Sequence, residues 1–323
     1  MAGKNLSFVS APAFQIATVP VHGDVMLSPM AGFSDSPYRL LCRRHGAAFS
    51  FTEFVSAEHV GRREERALSM FRFLPEERPI LFQIFGNDPE QLSRGARVAE
   101  ALGPDVVDLN MGCSVNCVSH KGSGAGMLRD PSATGAVVSR LVRELSVPVT
   151  AKMRIGWDHK SLNHREMARV LEDSGVSMIS VHGRTKQQGY KGLADWDAIG
   201  ETAAAVRVPV LGNGDVQSLT EARVKKRQYG LAGVLIGRAA IGNPWSFEGR
   251  VPTPEQVGDG MLEHLGYMLE FYSRGLILFR KHAARYIGQC PGLEPFRRRL
   301  LTTEDVAEFT DICLDLRRKS SAA

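Results

Sequence analysis

The sequence of 323 residues predicts an α/β fold, a (β/α)8 TIM barrel followed by an all-helical C-terminal domain. Eight short apolar segments recur within about 240 residues, and each leads through a polar or glycine-containing loop towards a helical pattern. Polar side chains follow these segments, at the position where a barrel carries its active site. From Pro252 onward the β pattern stops and only helical periodicity remains, which predicts the appended helical domain.

The predicted barrel strands are short apolar runs, as expected for parallel strands that are covered on both faces. They cover residues 25–27, 48–52, 80–85, 106–109, 147–153, 178–181, 208–211 and 233–236. Before them, residues 14–28 are predicted to form a hairpin that enters the first strand, with His22-Gly23-Asp24 as the turn.

Helical segments are expected between the predicted strands. They cover residues 36–45, 58–70, 162–174, 196–205 and 218–228, and two more begin after Asp88 and Asp130. Each of these aspartates precedes a proline, and a carboxylate cap before a first-turn proline starts helices. Thr253-Pro254-Glu255-Gln256 is a capping box that opens the C-terminal helices, predicted at 254–274, 277–288 and 303–318.

A doubly wound open sheet is the alternative fold. Such a sheet more often has a glycine-rich phosphate-binding turn after its first strand, whereas Pro29-Met30-Ala31-Gly32 stands there in this chain. The closed barrel is therefore favoured, with residues 1–250 as the barrel and its hairpin and residues 251–323 as the helical domain.

Composition indicates a soluble globular protein, with 43% hydrophobic and 23% charged residues. No apolar run approaches the length of a membrane span, and the N-terminus lacks the apolar core of a signal peptide. The five cysteines are scattered, which argues against a disulfide framework. Cys113-x-x-x-Cys117 has no second cluster to complete a zinc site. We expect a cytoplasmic protein without a metal.

The net charge of +5 mildly favours an anionic partner. Basic residues concentrate in one region of the helical domain, in which Glu294 is the only acidic residue. They are Arg280, Lys281, Arg285, Arg297, Arg298 and Arg299. This cluster is either an ordinary solvated face or a surface for a phosphate backbone.

The segment from 106 to 131 is the most informative part of the chain. Most lone cysteines are small buried side chains, but Cys113 follows a strand end through Gly112 and precedes the glycine-rich stretch 122–126. We expect that stretch to be a flexible loop outside the core, and the thiol to face a pocket.

Polar groups collect at the predicted strand ends, where barrel chemistry takes place. They are Pro29-Met30-Ala31, Glu53, Gln83, Asn110 with Cys113, Lys152 with Arg154, His182 with Arg184, Asn213-Gly214-Asp215, and Gly237-Arg238. The last two groups are where barrels hold a phosphate, although tight turns also use glycine. Lys152 could then meet the polar edge of a flavin, and Cys113 could donate a proton from the opposite side.

Several motifs, in order, cover nearly the whole chain. They are LSPMAGFSDSPYR (27–39), QIFGNDP (83–89), DLNMGCSVNCV with KGSGAGML (108–128), TAKMRIGW (150–157), SVHGRTKQQGYKGLADW (180–196), VPVLGNGDV (208–216), VLIGRAAIGNPW (234–245) and FRKHAARYI (279–287). Through them the chain resembles the tRNA-dihydrouridine synthases, most closely the bacterial B-type.

The resemblance implies an enzyme with tightly bound flavin mononucleotide (FMN) that uses NADPH to reduce the C5–C6 bond of particular uridines in tRNA. It assigns cofactor contacts to Pro29, Met30, Ala31, Gln83, Lys152, His182, Asn213, Gly214, Asp215, Gly237 and Arg238. Cys113 would protonate C5 after hydride reaches C6 from the flavin N5. Substrate contacts would come from Asn110, Arg184, Arg280, Lys281, Arg297, Arg298 and Arg299.

The chain departs from the family pattern beside the active cysteine. Ser114 stands where the family usually has proline, and Asn116-Cys117 replaces a commonly basic pair. Two other functions stay open from the sequence. One is a flavin barrel acting on a small molecule, such as a dihydroorotate-type dehydrogenase, and the other is a non-catalytic RNA-binding relative.

Overall fold

The computed structural model describes residues 11–320, and within that range all side chains except those of Pro291 and residues 316–320. Eleven strands are present in the described part of the chain. They are β1 (Phe14–Ile16), β2 (Val19–Val21), β3 (Val25–Leu27), β4 (Ser50–Phe51), β5 (Val55–Ser56), β6 (Ile80–Phe85), β7 (Val106–Met111), β8 (Val149–Arg154), β9 (Ile179–His182), β10 (Val210–Asn213) and β11 (Gly233–Ile236).

Thirteen α-helices accompany these strands in the same described range. They are α1 (Ser36–Arg44), α2 (Ala57–Gly61), α3 (Glu65–Ser69), α4 (Pro89–Glu100), α5 (Asn116–Ser119), α6 (Pro131–Glu144), α7 (His164–Asp173), α8 (Trp196–Ala205), α9 (Leu219–Gln228), α10 (Pro254–Phe271), α11 (Gly275–Gln289), α12 (Arg297–Thr302) and α13 (Val306–Ser320). Among these residues, no helix is both long enough and apolar enough to cross a bilayer.

Strands β3 to β11 form a closed parallel ring of eight strand positions, because β4 and β5 together make the second position. Ser50 of β4 pairs with Leu27 of β3 on one side and with Ile80 of β6 on the other, which closes the ring. The predicted TIM barrel with C-terminal helices is therefore confirmed.

The N-terminal hairpin packs against the inside of this ring. β1 and β2 pair antiparallel through a turn at Ala17-Thr18. Ile16 and Val21 are fully buried in one cluster with inward-facing residues of the barrel strands. The predicted turn His22-Gly23-Asp24 is instead the link from the hairpin to β3.

Aspartate and threonine caps begin the helices as expected. Asp88 accepts from the Gln91 N–H at 2.8 Å, and Asp130 accepts from the Ala133 N–H at 2.9 Å. Thr253 opens α10 in a capping box. The single helical stretch predicted at 58–70 is wrong, because the backbone turns at Arg63 with φ of 56° and separates α2 from α3.

The glycine-rich stretch 122–126 is not the exposed flexible loop that we expected. It leads into a buried 3-10 helix, Gly124–Arg129. A Cβ on Gly126 would lie 2.4 Å from the Ser119 carbonyl oxygen. Gly124 and Gly126 therefore permit close packing beneath the cysteine segment, and both are buried.

The C-terminal helices have an apolar core of their own, which includes Leu265, Phe279 and Phe309. Leu41 of α1 and Trp245 join this core, so the helices pack directly on the barrel. The short helix α12 lies in a segment that the sequence left unassigned. The division into domains 1–250 and 251–323 stays a prediction, and residues 1–10 and 321–323 lie outside the described residues.

A buried ion pair holds the segment after β3 in place. Arg39 Nε lies 2.6 Å from Glu77 Oε2, and both side chains are inaccessible to solvent. The same guanidinium donates to the carbonyl oxygens of Ser34 and Arg72 at 2.7 and 2.9 Å. This network joins the loop at the barrel mouth to the 72–77 segment.

We predict that Glu77→Ala lowers the free energy of unfolding by about 3–5 kcal/mol, because it leaves a buried guanidinium without its counter-charge. The exposed pair Arg62–Glu58, at 2.6 Å, provides the control. Glu58→Ala should change stability by no more than about 0.5 kcal/mol. Urea unfolding measures both, and equal effects would contradict this account of the buried pair.

Candidate active site

A cavity of about 410 Å³ opens at the C-terminal ends of the barrel strands. Its walls come from the loop after β3, from Phe54 between β4 and β5, from the ends of β7 to β11 with the loops that follow them, and from one residue of α11. The lining includes Pro29, Met30, Ala31, Phe33, Asn110, Cys113, Lys152, Arg154, His182, Arg184, Tyr190, Asn213, Gly214, Asp215, Gly237, Arg238 and Arg285.

Strand register places polar side chains of neighbouring strands beside one another on the inner face of the barrel. Asn110 of β7 is directly beside Lys152 of β8, and His182 of β9 is directly beside Asn213 of β10. Side chains alternate along a strand, so residues two apart share the inward face. Polar groups two residues apart therefore form stacked levels inside the barrel.

Asn110 fixes the start of the cysteine segment. Its Oδ1 accepts from the backbone N–H of Cys113 at 2.9 Å and of Gly112 at 3.2 Å, while its Nδ2 donates to Gln83 Oε1 at 2.8 Å. Arg154 Nε also donates to the Gly112 carbonyl oxygen at 2.8 Å. The backbone that carries the thiol is thus held from β7 and β8.

The Cys113 thiol is half-buried at the cavity wall. Burial raises its pKa above the ordinary value, against the opposing effects of the Val115 backbone N–H and the Arg154 charge. The group is therefore a protonated thiol at neutral pH. A protonated thiol in a cavity can donate a proton to a bound molecule.

Lys152 supplies a buried ammonium to the same cavity. Burial is the main reason that its pKa falls to about 8, with a further contribution from Arg154. Its Nζ donates to Asn213 Oδ1 at 3.1 Å, and Asn213 Nδ2 donates in turn to the Leu235 carbonyl oxygen. An ammonium has three donors, so Lys152 can also donate to a ligand in the cavity.

One level below, Asp108 lies fully buried among polar neighbours. It accepts from Thr150 Oγ1 at 2.6 Å and from Gln83 Nε2 at 2.7 Å. Burial raises the pKa of Asp108 to about 6, although these bonds and Lys152 act in the opposite direction. Gln83, predicted as a cofactor contact, sits in this lower level and supports Asn110 from beneath.

Buried Arg184 and partly exposed Asp215 form an ion pair at the other side of the cavity. Arg184 Nη2 lies 2.8 and 2.6 Å from the two carboxylate oxygens of Asp215. The guanidinium also donates to the Gly192 carbonyl oxygen at 2.6 Å, so its donors are largely occupied. Burial and nearby cations lower the pKa of His182, which is therefore neutral and accepts from Arg184 Nη1 at 3.3 Å.

The loops after β10 and β11 form the part of the cavity that is best suited to bind an anion. Arg238 is more than half exposed, lies 3.1 Å from Asp215, and stacks over the Tyr190 ring at 4.8 Å. Gly214 has φ of 137°, and a Cβ there would lie 2.4 Å from the Ala194 Cβ. Glycine is required at this turn, which leaves its backbone open to the cavity.

The structure thus brings most of the predicted cofactor residues, together with Cys113, Asn110 and Arg184, to one cavity. The predicted substrate contacts of the helical domain lie elsewhere, and most have protein partners. Arg280 donates to the Thr302 and Thr303 carbonyl oxygens, Lys281 pairs with Asp35, Arg297 with Glu294, and Arg299 with Glu308.

Sequence reasoning gave no role to several residues at the site. Asp108 had a visible signal, a carboxylate in the middle of an apolar strand. Arg154 was noted at a strand end without a function. Phe33 and Tyr190 sit in loops, and Arg285 comes from α11, so their position at the cavity depends on tertiary packing.

A second cluster, away from the cavity, has the ligand types of a cation site. Asp35, His264 and His282 are buried, and their potential ligand atoms lie within 4.8 Å of one another. Lys281 Nζ is already 2.9 Å from Asp35 Oδ2, and His282 Nε2 is 3.2 Å from it. The carboxylate therefore has a protein counter-charge, and the cluster joins α11 to the loop after β3.

A closed parallel barrel whose strand ends surround a thiol and a buried ammonium defines a TIM-barrel enzyme. The family model described as "Dihydrouridine synthase (Dus)" matches residues 26–321. The chain therefore belongs to the dihydrouridine synthase family, which confirms the resemblance seen in the sequence.

Relatives of similar length agree with this assignment. The chain is 35% identical over 309 residues to "tRNA-dihydrouridine synthase B" of Pseudomonas putida, covering 91% of each chain. It is 35% identical over 316 residues to "Probable tRNA-dihydrouridine synthase 1" of Synechocystis sp., covering 94% of this chain and 88% of the relative. It is 36% identical over 297 residues to "tRNA-dihydrouridine synthase B" of Xanthomonas campestris, covering 88% and 89%.

A solved structure supports the fold alone. Histamine dehydrogenase from Rhizobium sp. 4-9 is 12% identical, with a TM-score of 0.54 over 79% of this chain and 50% of that chain. At this level of identity the likeness concerns the barrel and not the chemistry.

We predict that Asp108→Asn makes the free energy of unfolding less dependent on pH. A carboxyl whose pKa is raised on folding favours the folded state at low pH, and that contribution is lost as pH rises through about 6. Between pH 4 and pH 7 the wild type should lose about 2 kcal/mol of unfolding free energy relative to the variant. Urea unfolding at both pH values tests this, and a constant difference would contradict it.

Proposed function

We propose that the protein is an FMN-dependent tRNA-dihydrouridine synthase that reduces the C5–C6 bond of specific uridines in tRNA with electrons from NADPH. The observation that carries the proposal is the pairing of a protonated thiol, Cys113, with a buried ammonium, Lys152, on the walls of one cavity. The family membership and the names of the relatives supply the reaction and the substrate. A tRNA substrate would place the protein in the cytoplasm.

The donor chemistry of the cavity fits FMN. A flavin has hydrogen-bond acceptors at one ring edge, and Lys152 offers an ammonium that has a resolved bond only to Asn213 among the described residues. The phosphate would lie at Asn213, Gly214, Gly237 and Arg238, where an arginine and open glycine backbone meet. Pro29, Met30 and Ala31 would line the ring. A cavity of about 410 Å³ suits a ligand of this kind.

When bound and reduced by NADPH, the flavin would supply the hydride that the uracil C6 accepts. Lys152 would hold the ring edge and favour negative charge there. Neutral His182 lies beside the same wall, and its ring orientation is set by Arg184. Gln83 contributes through Asn110, because its amide is held in the level below the cavity.

Cys113 would donate its proton to C5 of the uracil. The resulting thiolate would lie near the Arg154 charge and the Val115 backbone N–H, both of which favour the ionised sulfur. Asn110 keeps the segment in place through the Cys113 N–H and also lines the cavity, where it would contact the uracil. Arg184 would act on the nucleotide mainly indirectly, because its guanidinium is bonded to the Gly192 carbonyl oxygen in the loop after β9 and to the Asp215 carboxylate.

The target base must leave its stack to enter the cavity, so the surrounding RNA has to be held at the mouth. We assign part of this grip to the helical domain, through Arg280, Lys281, Arg297, Arg298 and Arg299. Arg298 and Arg299 are exposed, and pairs such as Arg297–Glu294 lie on the surface, where they can exchange a carboxylate for a phosphate.

We predict that Cys113→Ala retains FMN but loses dihydrouridine formation by on the order of 10²-fold or more, because its general acid is gone. Dihydrouridine in unmodified tRNA, incubated with protein, FMN and NADPH, is measured by mass spectrometry of nucleosides. Cys117→Ala, at an exposed thiol four positions along the chain, is the matched control and should keep full activity. Equal activities of the two variants would remove Cys113 from this role.

We also predict that FMN affinity falls as pH rises above about 8. The pKa of Lys152 is lowered to about 8, so its ammonium is present below that pH and is lost above it. The dissociation constant of FMN should rise by up to about tenfold per pH unit in this range. Lys152→Met should bind FMN more weakly at pH 7 and show a flat profile. Flavin fluorescence titration measures the dissociation constant of FMN for both proteins. The same pH dependence in wild type and variant would show that Lys152 does not contact the flavin.

A further inference from the structure

Arg285 of α11 is the one residue of the helical domain on the cavity wall within the described part of the chain. Its side chain is exposed, and its guanidinium carbon lies 5.8 Å from the centre of the Phe33 ring. Phe33 lines the same cavity from the loop after β3. An arginine stacked on an aromatic ring at a cavity mouth keeps its donors available for an anion.

The neighbouring arginines are already engaged. Arg154 donates to the carbonyl oxygens of Gly112, Thr185 and Gly189, Arg184 is held by Asp215, and Arg238 also pairs with Asp215. No carboxylate within salt-bridge distance of Arg285 is found among residues 11–315. Arg285 can therefore take a phosphate without first breaking an ion pair or giving up a backbone carbonyl, which none of these three arginines can do.

The backbone of Arg285 is held firmly against the barrel. A Cβ on Gly242 would lie 2.6 Å from the Arg285 carbonyl carbon, so the loop after β11 and α11 are in close contact. On the preceding turn, His282 lies 3.2 Å from Asp35 and packs against the edge of Phe33 at 5.5 Å. These contacts fix the distance between α11 and the cavity, which is what a positioning group requires.

We propose that Arg285 binds the RNA phosphate next to the target uridine and so positions that nucleotide over the cavity. The inference rests on the proposed function. A base that has swung into a cavity leaves its sugar-phosphate backbone at the mouth, where Arg285 stands. A guanidinium can hold two phosphate oxygens at once, which orients the backbone as well as attracting it. FMN also carries a phosphate group. The experiment therefore distinguishes binding of the RNA phosphate from binding of the FMN phosphate.

The experiment compares Arg285→Ala and Arg285→Lys with the wild type, all loaded with FMN, in dihydrouridine formation on unmodified tRNA. Arg285→Ala should raise KM for tRNA about tenfold and leave kcat within about twofold, since the lost contact is made to bound RNA. The slope of log affinity against log salt should become shallower by about 1. Arg285→Lys should restore the salt slope but only part of the tRNA affinity. Lysine keeps the positive charge but lacks the planar guanidinium that binds two phosphate oxygens at once.

Arg207→Ala is the matched control. Arg207 is exposed and precedes β10, so it lies at the N-terminal face of the barrel, opposite the cavity. The Arg207→Ala variant should have the wild-type KM for tRNA and the wild-type salt slope. If Arg285→Ala behaves like this control, the proposal is wrong.

A loss of FMN affinity in Arg285→Ala, with normal tRNA affinity once FMN is saturating, would also overturn the proposal and assign Arg285 to the cofactor. Failure of the proposed function has a different signature, a wild type that forms no dihydrouridine. In that case the salt dependence of direct tRNA binding, wild type against variant, still decides whether Arg285 contacts RNA.

Discussion

The register of four neighbouring parallel strands is the constraint on which the site depends. It places Asn110 beside Lys152, Arg154 beside His182, and His182 beside Asn213. Because side chains alternate along each strand, these residues all point inward, above a level that contains Gln83, Asp108 and Thr150. A slip of one residue in any of these strands would turn its polar groups outward into the apolar layer under the helices.

Burial of these polar groups sets their protonation states. The same low-dielectric surroundings keep the Cys113 thiol protonated and bring the pKa of Lys152 down to about 8. A proton donor and a cation are thereby kept in one small volume, each in the state that its proposed task requires. The cost is a buried carboxyl, Asp108, whose hydrogen bonds tie the level below to the cavity.

The sequence predicts the strands well because buried parallel strands are continuous apolar runs. Residues 25–27, 80–85 and 233–236 match their strands at both ends. It predicts less well where tertiary packing overrides local pattern. The stretch 122–126 has the composition of a flexible loop, but Gly124 packs against Cys113 and Gly126 packs against the Ser119 carbonyl. Charge counting placed Arg280 and Lys281 in one basic cluster, but it could not show that Arg280 donates to the Thr302 carbonyl oxygen and that Lys281 pairs with Asp35.

The central claim is that FMN lies between the strand ends so that Lys152 meets its ring edge while Cys113 faces the ring across space for one pyrimidine. A crystal structure of the protein with bound FMN tests this most directly. The account predicts Lys152 Nζ within hydrogen-bonding distance of the flavin N1 or O2, with the phosphate at Gly214, Gly237 and Arg238. A flavin bound elsewhere, or a Cys113 sulfur turned away from its ring, would contradict it.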